Sequence, residues 1–411
     1  MAAPRARRAY REPDDNFGVI RPAGGSVALE LGGSWPGVLG LEHLREAGRT
    51  SGIRTRWGIV ESSSGLSAIS RSSGTFLRWQ MYGKKFMDRS AEATMSPVVA
   101  QTGPDVGVPW HYGDPMREQR LLDAGQGVVD LSHRGVVTVT GPDRLSWLHS
   151  LTTQYLEGLD PGRGITTLVL SPHGHIEHVL YGVDDGETFW MHTEPGAAAA
   201  LLSWLDGMRF MMRVEVSDKS TDYAVVWSAA QLTGDHLTRV GPDSLAGCEL
   251  FVRRNQLLEI MNRSPRAGTW ALEARRIAAG VPRIGLDTDH RTIPNEIGLL
   301  GVAVHLDKGC YRGQETVARV HNLGRPPRRL VRLQLDGSVD ALPTPGAELQ
   351  FDGRAVGFVG GSARHFELGP IALGLIKRGT PLDSQLIVDG IAAAQEPLVD
   401  PDIGLHVRPT P

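Results

Sequence analysis

The chain has 411 residues, 41% apolar and 22% charged, a globular composition with room for two or three domains. Its two cysteines, Cys248 and Cys310, exclude a disulfide framework and any CxxC metal or dithiol site, which points to a reducing compartment. No apolar run approaches the roughly 20 residues that cross a bilayer. Residues 1–94 hold 14 of the 43 Lys+Arg and 9 of the 46 Asp+Glu, net +5, and the remainder carries −8. An acidic body argues against a nucleic-acid surface as the main function, and the basic strip Arg325 to Arg332 reads as a solvated linker.

Residues 1–94 are rich in Gly, Ser and Arg, with weak periodicity, and read as a poorly ordered extension upstream of a natural start at Met95. A transit peptide is the rival reading, diluted by Glu12, Asp14, Asp15, Glu42 and Glu46. Trp35, Trp57 and Trp79 stand against disorder. No apolar stretch follows the basic residues of Met1 to Arg8, so a secretory signal is not expected, and the predicted location is the cytoplasm.

From residue 117 the elements sharpen. Val128 to Ser132 and Gly135 to Val139 read as strands. Gly141-Pro142-Asp143 opens a helix with Leu145, Leu148 and Leu151 on its apolar stripe. Thr166 to Leu170 and Ile176 to Gly182 form a hairpin through Ser171-Pro172-His173-Gly174. A helix is predicted over 197–211, a strand over 222–228 and a short helix over 270–279, stopped by Gly280-Val281-Pro282. After Pro326-Pro327 only strands are expected: 330–335, 347–351 turning at Asp352-Gly353 into 355–359, then 371–376 and 385–388. The fold class is α+β, with a body over 95–325 and a small antiparallel barrel over 326–411.

The densest chemistry lies in Lys308-Gly309-Cys310-Tyr311-Arg312-Gly313-Gln314-Glu315. A thiol among cations is a candidate nucleophile, redox thiol or transient iron–sulfur contact; the bland alternative is a structural cysteine at a tight turn. This segment resembles the signature of the YgfZ folate-binding family, relatives of the glycine-cleavage T-protein. Asp130-Leu131-Ser132, Gly141-Pro142-Asp143, Leu272 to Arg276, Gly285-Leu286-Asp287, Ile293-Pro294-Asn295-Glu296 and Gly357 to Ser362 agree. The likeness covers about residues 110–405.

The resemblance implies two folate-binding α+β subdomains around a central opening, followed by a β-barrel. It implies a tetrahydrofolate or other reduced-folate ligand, and an accessory role toward iron–sulfur proteins. Cys310 and Lys308 are then the candidate reactive pair. Tyr311, Gly313, Gln314, Glu315 and Glu296 are the candidate ligand contacts. The alternative is a tetrahydrofolate-dependent aminomethyl- or methyltransferase like the T-protein. One departure bears on that choice. The acidic pair of the T-protein's Gly-Gly-Ile-Leu-Asp-Asp stretch falls here on His178-Val179, with Glu177 one residue early and so expected on the opposite strand face. His173, His175 and His178 lack a completing ligand, and no stable metal is expected.

Overall fold

The computed structural model describes residues 56–62, 65–72, 75–80, 96–322 and 324–401. The chain divides into two units, 1–87 and 88–411. In the first, β1 (Arg56–Ser62), β2 (Gly65–Ser72) and β3 (Thr75–Gln80) form an antiparallel meander. The sequence had offered few boundaries there. The other residues of 1–95, Trp35 among them, lie outside the described residues, as do the side chains of Trp57 and Trp79, and with them the reading of a poorly ordered extension.

The second unit opens with the short pair β4 (Val98–Val99) and β5 (Pro109–His111), then α1 (Pro115–Asp123). Pro115 begins this helix, and the Asp114 side chain caps it by accepting from the Arg117 N–H at 3.0 Å. Two five-stranded sheets follow. One has the order β11 (Glu215–Asp218), β7 (Gly135–Thr140), β10 (Thr188–Thr193), β9 (Ile176–Asp184), β8 (Gly164–Leu170). Helices α2 (Arg144–Leu151) and α3 (Ala198–Gly207) pack Trp147, Leu148, Leu201 and Leu205 against Val137, Val169, Leu180 and Met191. The other sheet has the order β13 (Leu237–Arg239), β14 (Cys248–Arg253), β12 (Tyr223–Ser228), β6 (Val128–Asp130), β15 (Arg266–Ala267). Its strands bury near-continuous apolar runs, Ala224 to Trp227 and Leu250 to Val252, because both faces are covered. Helix α4 (Leu257–Met261) lies on one of those faces. Helix α5 (Thr269–Ala278) buries Ala271, Leu272, Ala274 and Ile277 and presents Glu273 and Arg276.

The predicted helix over 197–211 ends at Gly207 instead. The next residues turn out of the helix, and Phe210 has a φ of 44°. Gly207 is a poor helix former, a weakness that the apolar periodicity concealed. The signature also runs into a helix: α6 (Gln314–Asn322) begins directly after Gly313.

The last region is a closed barrel of six antiparallel strands in the order β16 (Arg328–Leu335), β19 (Gly369–Lys377), β18 (Arg354–His365), β17 (Glu348–Phe351), β20 (Leu386–Val388), β21 (Ile391–Pro397). Val331, Leu333, Leu349, Val359, Ile376 and Leu386 fill it. Strand β18 runs past the predicted end at 359, because a register shift between Val359 and Ser362 carries Gly360 and Gly361 through a bulge. A Cβ on Gly360 would stand 2.1 Å from Asp287 Oδ1, and one on Gly361 would stand 2.5 Å from Arg276 Nη2. The two glycines therefore let the barrel strand meet the body, where the Gly361 N–H donates to Asp287 Oδ1 at 2.7 Å.

Candidate functional site

The signature folds around its two glycines. Gly313 has a φ of +82°, and a Cβ there would stand 2.5 Å from the Ser171 carbonyl. Only glycine lets the loop lie against the 171–174 turn. Cys310 is exposed and free, and Gly309 beside it has open space around it. Lys308, by contrast, is 5% exposed. Its ammonium donates to the main-chain carbonyls of His149 (2.5 Å), Thr152 (2.6 Å) and Gln154 (3.2 Å), at the C-terminus of α2. All three donors are thus used, where the helix dipole favours a cation. Burial pushes its pKa down to about 8, with Glu157 opposing the shift.

The other predicted contacts scatter. Tyr311 is buried in the apolar core with Leu170, Ile176 and Val317, and burial raises its phenol to about 12. Tyr311 and Gln314 line a surface cleft of about 280 Å³ with Leu306, Asp307 and His321. Gln314 also donates to the Lys308 carbonyl at 3.3 Å. Glu315 is exposed in the first turn of α6. Glu296 closes the short turn Pro294–Glu296, which packs on α6 where Asn295 donates to the Val317 carbonyl at 3.2 Å. Glu296 is 1% exposed, and both its oxygens accept from Arg328 at 2.8 Å, which also pairs with Asp289.

Glu177 is the extra residue of a bulge in β9, since Val169 pairs with His178 while Leu170 pairs with Ile176. It points outward and binds Arg312 of the signature at 2.9 Å, both side chains about one-third exposed. Val179 is buried in the core. Neither position 178 nor 179 supplies a carboxylate. His173 and His175 have ring centroids 6.2 Å apart. Among the described residues no group of three His, Cys, Asp or Glu is placed to hold a metal.

A second constellation, which motif reading missed, lies where the two sheets and α5 converge. Arg239 is fully buried. It binds Asp243 (2.5 Å) and Glu249 (2.9 Å) while donating to the Ile165 carbonyl and Thr166 Oγ1 of the opposite sheet. Arg283 binds Glu194 (2.9 Å), Glu273 (2.9 Å) and Asp105 (3.0 Å); Arg276 binds Glu273 (2.8 Å) and Asp287 (2.7 Å). Burial opposes ionisation of Asp105, yet His133 and Arg283 hold its pKa well below the usual carboxylate range. Burial likewise opposes ionisation of Glu273, but Arg276 and Arg283 hold its pKa down. The Tyr181 ring stacks on His192 at 4.8 Å, with Arg134 and Arg239 at 5.6 and 5.4 Å from its centroid. Burial, with Arg134 and Arg239 beside it, keeps His192 neutral.

Arg134, Tyr181, Trp227, Asp243, Glu249 and Arg283 enclose a cavity of about 40 Å³. Leu245 and Val281 line both this space and an outer cavity of about 440 Å³ that reaches Arg275, His365 and Phe366. Leu245 and Ala246 have φ of 55° and 59°, so the segment between the two spaces is strained backbone. Partners such as Glu194 and Arg283 are 89 residues apart, beyond any local motif. The available signal was Glu273 and Arg276, charges on a helix whose remaining residues are mostly apolar.

Residues 96–231 match the GCVT N-terminal domain family. An aminomethyltransferase of Thermotoga sp. (strain RQ2) is 25% identical over 319 residues, covering 68% of this chain and 86% of that protein. The chain is T-protein-like. A putative chloroplastic transferase of Arabidopsis thaliana is 27% identical over 290 residues, 61% of this chain and 66% of that relative, just under two thirds of its length. The crystal structure of glycine cleavage system aminomethyltransferase T from Bartonella henselae superposes with a TM-score of 0.63 at 18% identity, over 74% of this chain and 94% of that one. The buried charges lie between the two sheets and α5, whereas Cys310 and Glu315 of the signature are exposed. No helix among the described residues is long and apolar enough to cross a membrane.

Proposed function

We propose that this protein binds a reduced folate at the centre of its body and acts as a YgfZ-type accessory factor for iron–sulfur enzymes, without transferring an aminomethyl group. The observation that carries this reading is at 177–179. The fold is aminomethyltransferase-like, but its hairpin offers His178 and Val179, and Glu177 faces outward to Arg312. A general acid or base must reach the reacting atoms, and a carboxylate exposed and paired with Arg312 does not.

The residues present fit a folate. A space of about 440 Å³ lies in the range of small-molecule sites. Arg275 at its outer end, loosely paired with Asp123 at 3.6 Å, suits an anionic tail. Tyr181, Asp243 and Glu249 at the inner end suit a flat heterocycle bearing amino groups. The inner space of about 40 Å³ holds a water or two rather than a bicyclic ring, so binding requires the strained Leu245 segment to yield. The bound folate would supply a one-carbon carrier. The chain's own part is to enclose the heterocycle and present Cys310 at the surface. Lys308 serves this scheme as the anchor of the Cys310 loop. Tyr311, Gln314 and Glu315 shape the surface around that loop, Gly313 lets it turn, and Glu296 braces the barrel. The proposed setting is the cytoplasm, with iron–sulfur proteins as clients of the exposed thiol.

An assay with tetrahydrofolate and an aminomethylated lipoyl carrier tests the negative half of the proposal. No methylene transfer above background is expected, and measurable turnover would establish a transferase like the relatives named above.

A further inference from the structure

The cations at the central cavity are not equivalent. Arg239, Arg276 and Arg283 each hold at least two carboxylates within 3.0 Å. Arg134, whose side chain is 12% exposed, reaches Glu194 only at 3.7 Å. Its Nη1 stands 3.5 Å from His192 Nδ1, at the outer limit of a hydrogen bond. Its Nε is buried and has no partner among the described residues. The same guanidinium lines the cavity beside the Tyr181 ring, which His192 stacks against from within the fold.

A guanidinium has five donors and no acceptor. A buried one that its own protein leaves under-used gains most from an oxygen delivered by a ligand, and it repels an N–H brought to the same place. Resting on the assignment of the central cavity to a folate, we infer that Arg134 selects the ligand's heterocycle by donating to a carbonyl oxygen on its edge. A ring carrying an amino group at that position meets donor against donor. The site then takes oxo-pterins and rejects their amino counterparts. Arg134 is a specificity-determining residue that neither the signature nor the acidic-pair comparison pointed to.

Folic acid and aminopterin differ at the position in question, oxo in one and amino in the other. Titration of the full chain with each, read by quenching of tryptophan fluorescence (Trp227 lines the cavity), measures the preference directly. The wild type is expected to favour folic acid by about tenfold or more, the discrimination of a site that hydrogen-bonds its substrate. In Arg134→Met that preference should collapse to within about threefold, with the loss falling on folic acid. Arg134→Lys keeps the charge without the planar fork and should retain only part of the preference. It is the variant to read if the Met form does not fold. Equal wild-type affinities, or a preference that survives in Arg134→Met or in full in Arg134→Lys, would overturn the inference while leaving folate binding intact. Failure of the wild type to bind either compound while tetrahydrofolate still raises its melting temperature would overturn the inference alone, and failure with all three would overturn the folate reading as well.

Discussion

Lys308 carries its charge inside the protein, on three carbonyls at the end of α2, while Cys310 two residues on is exposed. The two therefore respond differently to substitution. Cys310→Ala removes one sulfur from the surface and should leave the unfolding free energy within about 0.5 kcal/mol of wild type. The same variant should fail to complement a strain lacking the protein, and full rescue by the folded variant would remove the thiol from the mechanism. Lys308→Met strands three buried carbonyls, and each neglected acceptor costs about 1–3 kcal/mol before relaxation. A net loss of about 2–4 kcal/mol by urea unfolding is expected, together with faster alkylation of Cys310 as its loop loosens. The thiol was legible from the sequence because its neighbours are contiguous. The anchoring role of Lys308 was not, since its partners lie more than 150 residues away.

At the scale of elements, the strands and helices with clean periodicity were legible: the 164–170 and 176–184 hairpin, α5, and most barrel strands. What failed was local chemistry overridden by tertiary contact. The strand predicted to stop at 359 continues because Gly360 and Gly361 bulge against Asp287 and Arg276. Gly360→Ala should accordingly cost about 2–4 kcal/mol, since its Cβ meets a buried carboxylate oxygen that cannot retreat. Denaturant unfolding checks this, and a change below about 0.5 kcal/mol would mean the bulge does not hold the barrel to the body. The central charges escaped sequence reading for a related reason. Arg134, Glu194 and Arg283 come from three separate loops, and nothing in their local spacing brings them together.

At the scale of the molecule, ion pairs join body to barrel. Arg328, on the first barrel strand, holds both Glu296 and Asp289. Burial opposes ionisation of Asp289, yet bonds from Arg328 and Thr292 and from the Arg291 N–H hold its pKa down at about 2. The folded-state value lies below the unfolded one, so the unfolded chain binds the extra proton. That contribution is present above the ordinary value of 3.8 and is lost as pH falls from there toward 2. Acid titration of stability should show a loss in that window, and Asp289→Asn should flatten it. An unchanged acid profile in the variant would place the titrating group elsewhere.

On the proposed function, the closed polar centre of this T-protein-like body opens to a reduced folate. A ligand that binds only the folded state must raise its stability, by about 2.7 kcal/mol at 100 times the dissociation constant. The most direct measurement is the melting temperature of the full chain across a tetrahydrofolate titration under reducing conditions. A rise of several degrees that grows with the logarithm of concentration is expected. A melting temperature that stays flat up to millimolar tetrahydrofolate would contradict the proposed function.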